Sequence, residues 1–336
     1  MRFLNNWHTL NTGFWRLVTW ALVASLVGGC ASSNRLLHMY GSTALPARTQ
    51  TFADGGQSVY YGFQLQGEGV DRTVRTQVFL IGGSGCPSWK SVLPDYVKGL
   101  RQPANVWAMN KRWVTDRSTG FWDCGHAFDR DNRPAHWLAD QAAFIRARLA
   151  EAPPPVTRVM VVGVSEGAWV AGQLARDASL GVTHLVLIGS GAWSLRRNLE
   201  VLGVQWNGSD GGTKIQRSPH SLTERWWGHP HQWWSDVLDL DPLPGLLALD
   251  VPIWAAMGAE DTSVPVASVQ ALASSFADHG KPNLTVTVYP GANHLLQGAT
   301  VDHRQALFSA LSAWLEIPPE STAEVVRPAG PTTGTP

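Results

Sequence analysis

The chain has 336 residues, 44% of them hydrophobic and 15% charged, enough to bury a large core as one α/β domain or two smaller ones. Its 26 basic and 26 acidic side chains cancel, which excludes electrostatic steering toward nucleic acid. The 17 tryptophans are a clear excess that some part of the chain has to use.

Arg2 and Arg16 are the only charges ahead of the apolar stretch 17–29, LVTWALVASLVGG, which ends at Cys30. That layout is a secretion signal over residues 1–29, too short for a comfortable bilayer span. Val27-Gly28-Gly29-Cys30 resembles a bacterial lipobox, in which the cysteine is acylated and becomes the mature N-terminus. The ASSNR that follows has no acidic residue in second place. The resemblance therefore implies a lipoprotein held at the outer membrane, facing the periplasm. With Cys30 lipidated, Cys86 and Cys124 remain, and an oxidising compartment favours their pairing.

A polar linker occupies 30–56. SVYYGFQLQG and RTVRTQVFLIGG then read as successive strands, PSWKSVLPDYVKGL as a helix and ANVWAMNKRW as a strand. HWLADQAAFIRARLA is an amphipathic helix stopped by Pro153-Pro154-Pro155. Next come the strand RVMVVGV, the helix EGAWVAGQLARDA and the strand HLVLIGS. An irregular Trp-rich insertion covers about 191–248. The core resumes with strand VPIWAAMG, helix VASVQALASSFADHG, strand LTVTVYPG and helix VDHRQALFSALSAWL. Continuous apolar strands alternating with helices mean a mostly parallel sheet covered on both faces, here spanning 57–317. The Pro/Thr-rich end, 318–336, reads as a disordered tail.

Gly163-Val164-Ser165-Glu166-Gly167 sits where an apolar strand becomes a helix. A nucleophile elbow needs small residues on both sides of its serine, because the turn brings neighbouring backbone close. With this placement the chain resembles the α/β-hydrolase superfamily over about 57–316. The resemblance implies that fold, with a cap inserted after the sixth strand, and a triad in the order serine, acid, histidine. Asp261, in Gly258-x-x-Asp261-x-x-Val264-Pro265, matches the acid loop, with Glu260 as the rival carboxylate, and His294 in VYPGANHLL matches the histidine loop. The oxyanion hole would take the N–H of Glu166 and that of Ser84 or Gly83, from a glycine-rich loop after the strand VFLI.

The implied activity is hydrolysis of carboxylic esters through an acyl-enzyme, with no cofactor and a small-molecule ester as partner. A peptidase or amidase of the same superfamily is the first alternative, and a non-catalytic binding protein on the same scaffold the second. Trp226, Trp227, Trp233 and Trp234 fall in the cap, where they pack it onto the sheet or border a pocket. Ser221 and Glu224 are spaced as a capping box opening a cap helix. His229-Pro230-His231, with His220 nearby, fits no zinc spacing. DRDNR at 129–133 lacks the glycine and terminal glutamate of a calcium loop and reads as a solvated turn.

Overall fold

The computed structural model describes residues 45–68, 72–116, 118, 120, 124–204 and 211–317. The signal peptide, Cys30, the tail at 318–336 and residues 205–210 of the cap lie outside them. Among the described residues no helix is long and apolar enough to cross a membrane.

Along the chain come β1 (Arg48–Thr51), β2 (Gln57–Leu65), β3 (Thr76–Ile81), α1 (Leu93–Tyr96), β4 (Ala104–Met109) and α2 (His126–Asp131). They are followed by α3 (Pro134–Glu151), β5 (Arg158–Val164), α4 (Glu166–Ala175) and β6 (His184–Ile188). The cap holds α5 (Leu195–Val201), α6 (Gly211–Arg217), the hairpin strands β7 (Arg225–Trp226) and β8 (His229–Pro230), α7 (His231–Val237) and α8 (Leu243–Leu247). β9 (Ile253–Gly258), α9 (Val266–Asp278), β10 (Leu284–Tyr289) and α10 (His303–Glu316) finish the core.

Eight strands form one sheet in the order β1-β2-β4-β3-β5-β6-β9-β10. β1 and β4 pair antiparallel with β2, and every other pairing is parallel. Residues of β3 and β6 are buried along their whole length, as strands covered on both faces must be. Side chains alternate in direction along a strand, so one run of sequence builds two cores. Phe79, Ile81, Val161 and Leu187 face a cluster with Phe144 and Ile145 of α3 and Val170 of α4. Val78, Leu80, Val162 and Val186 face the other, with Leu93 of α1 and Leu307, Phe308 and Leu311 of α10.

The chain runs from β3 outward to β4, then returns across β3 to β5. Loops leaving β3 and β5 therefore part in opposite directions and open a crevice at the carboxyl ends of the strands, where ligands bind in open α/β sheets.

Three local expectations give way to tertiary structure. The helix expected over 87–100 shrinks to α1, because Pro94 is tolerated only in a helix's first turn and Gly99, at φ 101°, ends it against the backbone of Gln305. β1 lies within the stretch assigned to the linker and pairs with β2, Arg48 opposite Tyr60. Ser221 Oγ does accept the Glu224 N–H at 3.0 Å. Yet Glu224 turns its carboxylate to Ser218 and His231, and the chain continues into β7 instead of a helix.

DRDNR is also no solvated turn: Asp129 is buried within α2 and pairs with Arg225 of the cap. Arg133 bonds both carboxylate oxygens of Asp236 on α7 at 2.8 Å. The segment clamps the cap to the core.

Candidate active site

β5 ends at Val164, and Ser165 turns the chain into α4 with φ 55° and ψ −122°. A positive φ is strained for any residue with a side chain, and the neighbours hold it. The Ser165 N–H donates to the Ile188 carbonyl at 2.8 Å, and the Ser165 carbonyl accepts from Ala168 N–H at 2.9 Å. A side chain on Gly163 would run into the backbone of Gly167 and Ala168, and one on Gly167 into the carbonyls of Ile81 and Gly82. The two glycines thus let the elbow close between β3 and α4.

Asp261 and His294 come from the loops that follow β9 and β10. His294 Nδ1 lies 2.7 Å from Asp261 Oδ2, while Asp261 Oδ1 accepts the N–H groups of Ser263 at 2.8 Å and Val264 at 2.9 Å. The Asp261 side chain is fully buried, and Glu260 is exposed. The loops after β9 and β10 are joined by Glu260 N–H donating to Ala292 O at 2.9 Å, a closeness that a side chain on Gly258 would block. Gly189, at φ 62°, makes room for the imidazole: a β-carbon there would sit 2.8 Å from His294 Cε1.

The loop after β3 closes the third side. A β-carbon on Gly83 would stand 3.2 Å from that of Ser165, so the glycine-rich loop lies directly against the elbow. Its continuation is anchored twice. Cys86 and Cys124, 38 residues apart, form a disulfide packed with Val114 and Phe128. Ser88 and Lys90 belong to a polar network with Tyr61, Asn110 and Asp116, in which burial raises the Tyr61 phenol above its usual value.

Behind the elbow stands a feature the sequence reading passed over. Lys111, just beyond β4, places Nζ 2.9 Å from Glu166 Oε2, with side-chain exposures of 6% and 11%. The indole N–H of Trp233 donates to the other Glu166 oxygen at 3.3 Å, and the Lys111 ammonium lies 4.0 Å from the centre of the Trp137 ring. Burial lowers the Lys111 pKa. His229 stacks on Trp233 with ring centres 4.0 Å apart, and burial pulls its pKa down to about 4. Pairing of Lys111 with Glu166, 55 residues away, leaves no periodic trace in the sequence.

Two cavities meet at Ser165. The larger, about 630 Å³, is bordered by Gly83, Ser84, Ser165 and His294 on the core side and by Trp227, His229, Trp233 and Trp234 on the cap side. The smaller, about 120 Å³, lies between α4 and the cap, against Trp169, Trp193, Leu195, Trp233, Leu240 and Val264. Trp226 borders neither; it stacks on Trp227 and receives the Trp234 N–H on its carbonyl at 2.7 Å. Among the described residues no cluster of His, Cys, Asp and Glu is arranged to hold a metal ion. His231 instead faces Ser218 Oγ at 2.9 Å.

No protein-family model matches the chain, and no curated protein does. Solved structures do. Est1E from Butyrivibrio proteoclasticus superposes with TM-score 0.55 at 14% identity, over 80% of this chain and 97% of that one. A proline iminopeptidase from Mycobacterium smegmatis gives 0.55 at 14%, over 80% and 98%. Esterase Pf2001 from Pyrococcus furiosus gives 0.52 at 17%, over 80% and 91%. At these identities the likeness carries architecture and nothing finer. In strand order and in the helices that cover its mostly parallel sheet, the chain has the α/β-hydrolase fold.

Proposed function

We propose that the protein is a serine hydrolase that cleaves carboxylic esters through an acyl-enzyme. The observation that carries this reading is the 2.7 Å bond between His294 Nδ1 and Asp261 Oδ2 at a cavity that His294 shares with the strained Ser165. A serine hydroxyl attacks only when a base takes its proton. His294 Nε2 is that base, and Asp261 fixes the other nitrogen as the N–H and balances the imidazolium charge. Ser165 Oγ bonds to the acyl carbon while its proton passes through His294 to the departing alkoxide; water then repeats the sequence and frees the acid. The N–H of Glu166, with that of Ser84 or Gly83, receives the oxyanion, and each such donor contributes about 10² to 10³ in turnover.

An aminopeptidase is the nearest competitor. A free substrate ammonium calls for an unpaired carboxylate, and Glu166, the one carboxylate among the described residues bordering either cavity, is already paired with Lys111. Turnover of a p-nitrophenyl ester and an aminoacyl-nitroanilide, measured side by side, separates the two. Ser165→Ala is expected to lose ester turnover by a factor on the order of 10⁴ to 10⁶ and all labelling by a fluorophosphonate, with unchanged folding. Labelling that persists in the variant assigns the nucleophile elsewhere. A wild-type protein with neither labelling nor turnover would favour the non-catalytic binding protein.

We propose export and lipid anchoring at Cys30 on the strength of the stretch 17–30; the disulfide between Cys86 and Cys124 suits an oxidising compartment. Cys30→Ser is expected to move the protein from the membrane fraction to the soluble one, and a variant that still sediments with membranes defeats the assignment.

A further inference from the structure

The two cavities at Ser165 are unequal, and the chemistry of the site tells them apart. In the tetrahedral intermediate the acyl carbon carries four groups: Ser165 Oγ, the oxyanion, the acyl chain and the leaving oxygen. His294 must reach the leaving oxygen to protonate it, so the alcohol half lies on the histidine's side and the acyl chain points away from it. His294 borders the large cavity and not the small one, whereas the Glu166 side borders the small cavity and not the large one. Ser165 and Ser84 border both. The carbonyl therefore sits at the junction, its alcohol in the large cavity and its acyl chain in the small one.

We infer, building on the ester-hydrolase reading, that the enzyme takes short acyl groups esterified to bulky apolar alcohols. An apolar cavity of roughly 150 Å³ admits benzene, so the 120 Å³ acyl chamber holds about four or five non-hydrogen atoms beyond the carbonyl carbon. Trp193, Trp233, Leu195, Leu240 and Val264 wall that chamber; Trp233 and Val264 are buried and the other three half-buried, and the packed pair does not yield a methylene without strain. The alcohol cavity has room for an aromatic system, and none of its described lining residues is Asp, Glu, Lys or Arg. Val92, Leu202, Trp227 and Leu295, which are among its lining residues, are large apolar side chains left exposed. That surface favours an apolar alcohol over a charged or sugar-like one.

The chain's own selectivity tests this. The specificity constant kcat/KM is measured on the purified full chain for two ester series. One holds the alcohol as p-nitrophenol and lengthens the acid from acetate through butyrate and hexanoate to octanoate. The other holds the acid as butyrate and enlarges the alcohol from methanol to benzyl alcohol and naphthylmethanol. A fall of about tenfold or more from butyrate to octanoate is expected, since one methylene too many in such a pocket changes discrimination by about 10- to 200-fold. Naphthylmethyl butyrate is expected to exceed methyl butyrate by about tenfold, by the same reasoning applied to the roomy side.

Trp193→Ala enlarges the acyl chamber and is expected to raise the octanoate-to-butyrate ratio by about tenfold; Leu240→Ala gives the same reading should Trp193→Ala fail to fold. Octanoate turned over as well as butyrate, or methyl butyrate turned over as well as naphthylmethyl butyrate, overturns the assignment of the chambers. If fluorophosphonate still labels Ser165 in that case, the hydrolase reading stands and only the chamber assignment falls. Absence of labelling and of turnover across both series overturns both.

Discussion

Lys111 carries a charge into a place with almost no water, and Glu166 is there to receive it. Breaking a buried pair by removing one partner leaves an uncompensated charge, which costs about 3–5 kcal/mol. Lys111→Met is therefore expected to lower the unfolding free energy by about 3 kcal/mol, and the double variant with Glu166→Gln to recover most of that, read from urea titrations. A single variant as stable as wild type would show that the carboxylate is already neutral or hydrated. The same two residues show where sequence reading stops. Gly163, Ser165 and Gly167 are legible because the steric need is local, written within five positions. Gly258 and Asp261 are legible because their motif is short. Lys111 and Gly189 matter through neighbours brought in from distant strands, Glu166 and His294, and nothing beside them in the chain announces it.

Whole elements divide the same way. The β3, β5, β6 and β9 strands are visible in the sequence because burial on both faces demands an unbroken apolar run. α3 and α10 are visible because their length lets periodicity accumulate. The cap is not. Its helices run to seven residues or fewer, too short to be stable on their own, and its form depends on ion pairs with α2 and with Arg133, just ahead of α3, that no local pattern encodes. The pair between Arg225 and buried Asp129 is the most exacting of these, since burial already raises the Asp129 pKa. Arg225→Ala is expected to loosen the β7–β8 hairpin before the core: limited proteolysis at neutral pH should nick residues 218–231 faster than in wild type. Equal nicking rates would mean the Trp cluster alone holds the cap.

Across the molecule as a whole, two imidazoles, His184 buried and His229 half-buried, contribute to the response to acid. His184 packs edge-on against Trp314 with ring centres 4.8 Å apart, and burial, aided by Arg158, pulls its pKa from 6.5 down to about 4. His229 is lowered from 6.5 to the same level, again mainly by burial. Between those values the unfolded chain binds protons that the native chain refuses, so stability is full above pH 6.5 and is lost as pH falls toward 4. Each group contributes on the order of 2–3 kcal/mol across that window. The melting midpoint is expected to drop by several degrees between neutral pH and about 4.5, and His184→Gln to remove part of the drop. A variant with the wild-type slope would place the effect in the carboxylates.

Trp227, at the edge of the large cavity, and the indole stacked on it carry a consequence of another kind. Trp226 and Trp227 lie face to face at 4.3 Å, close enough for their electronic transitions to mix, while Trp227 is half open to solvent. Anything that enters and strips water from that ring will shift its emission to the blue and perturb the near-ultraviolet dichroism of the pair. The protein thus carries its own optical gauge of occupancy, and titrations can be followed without attaching a dye.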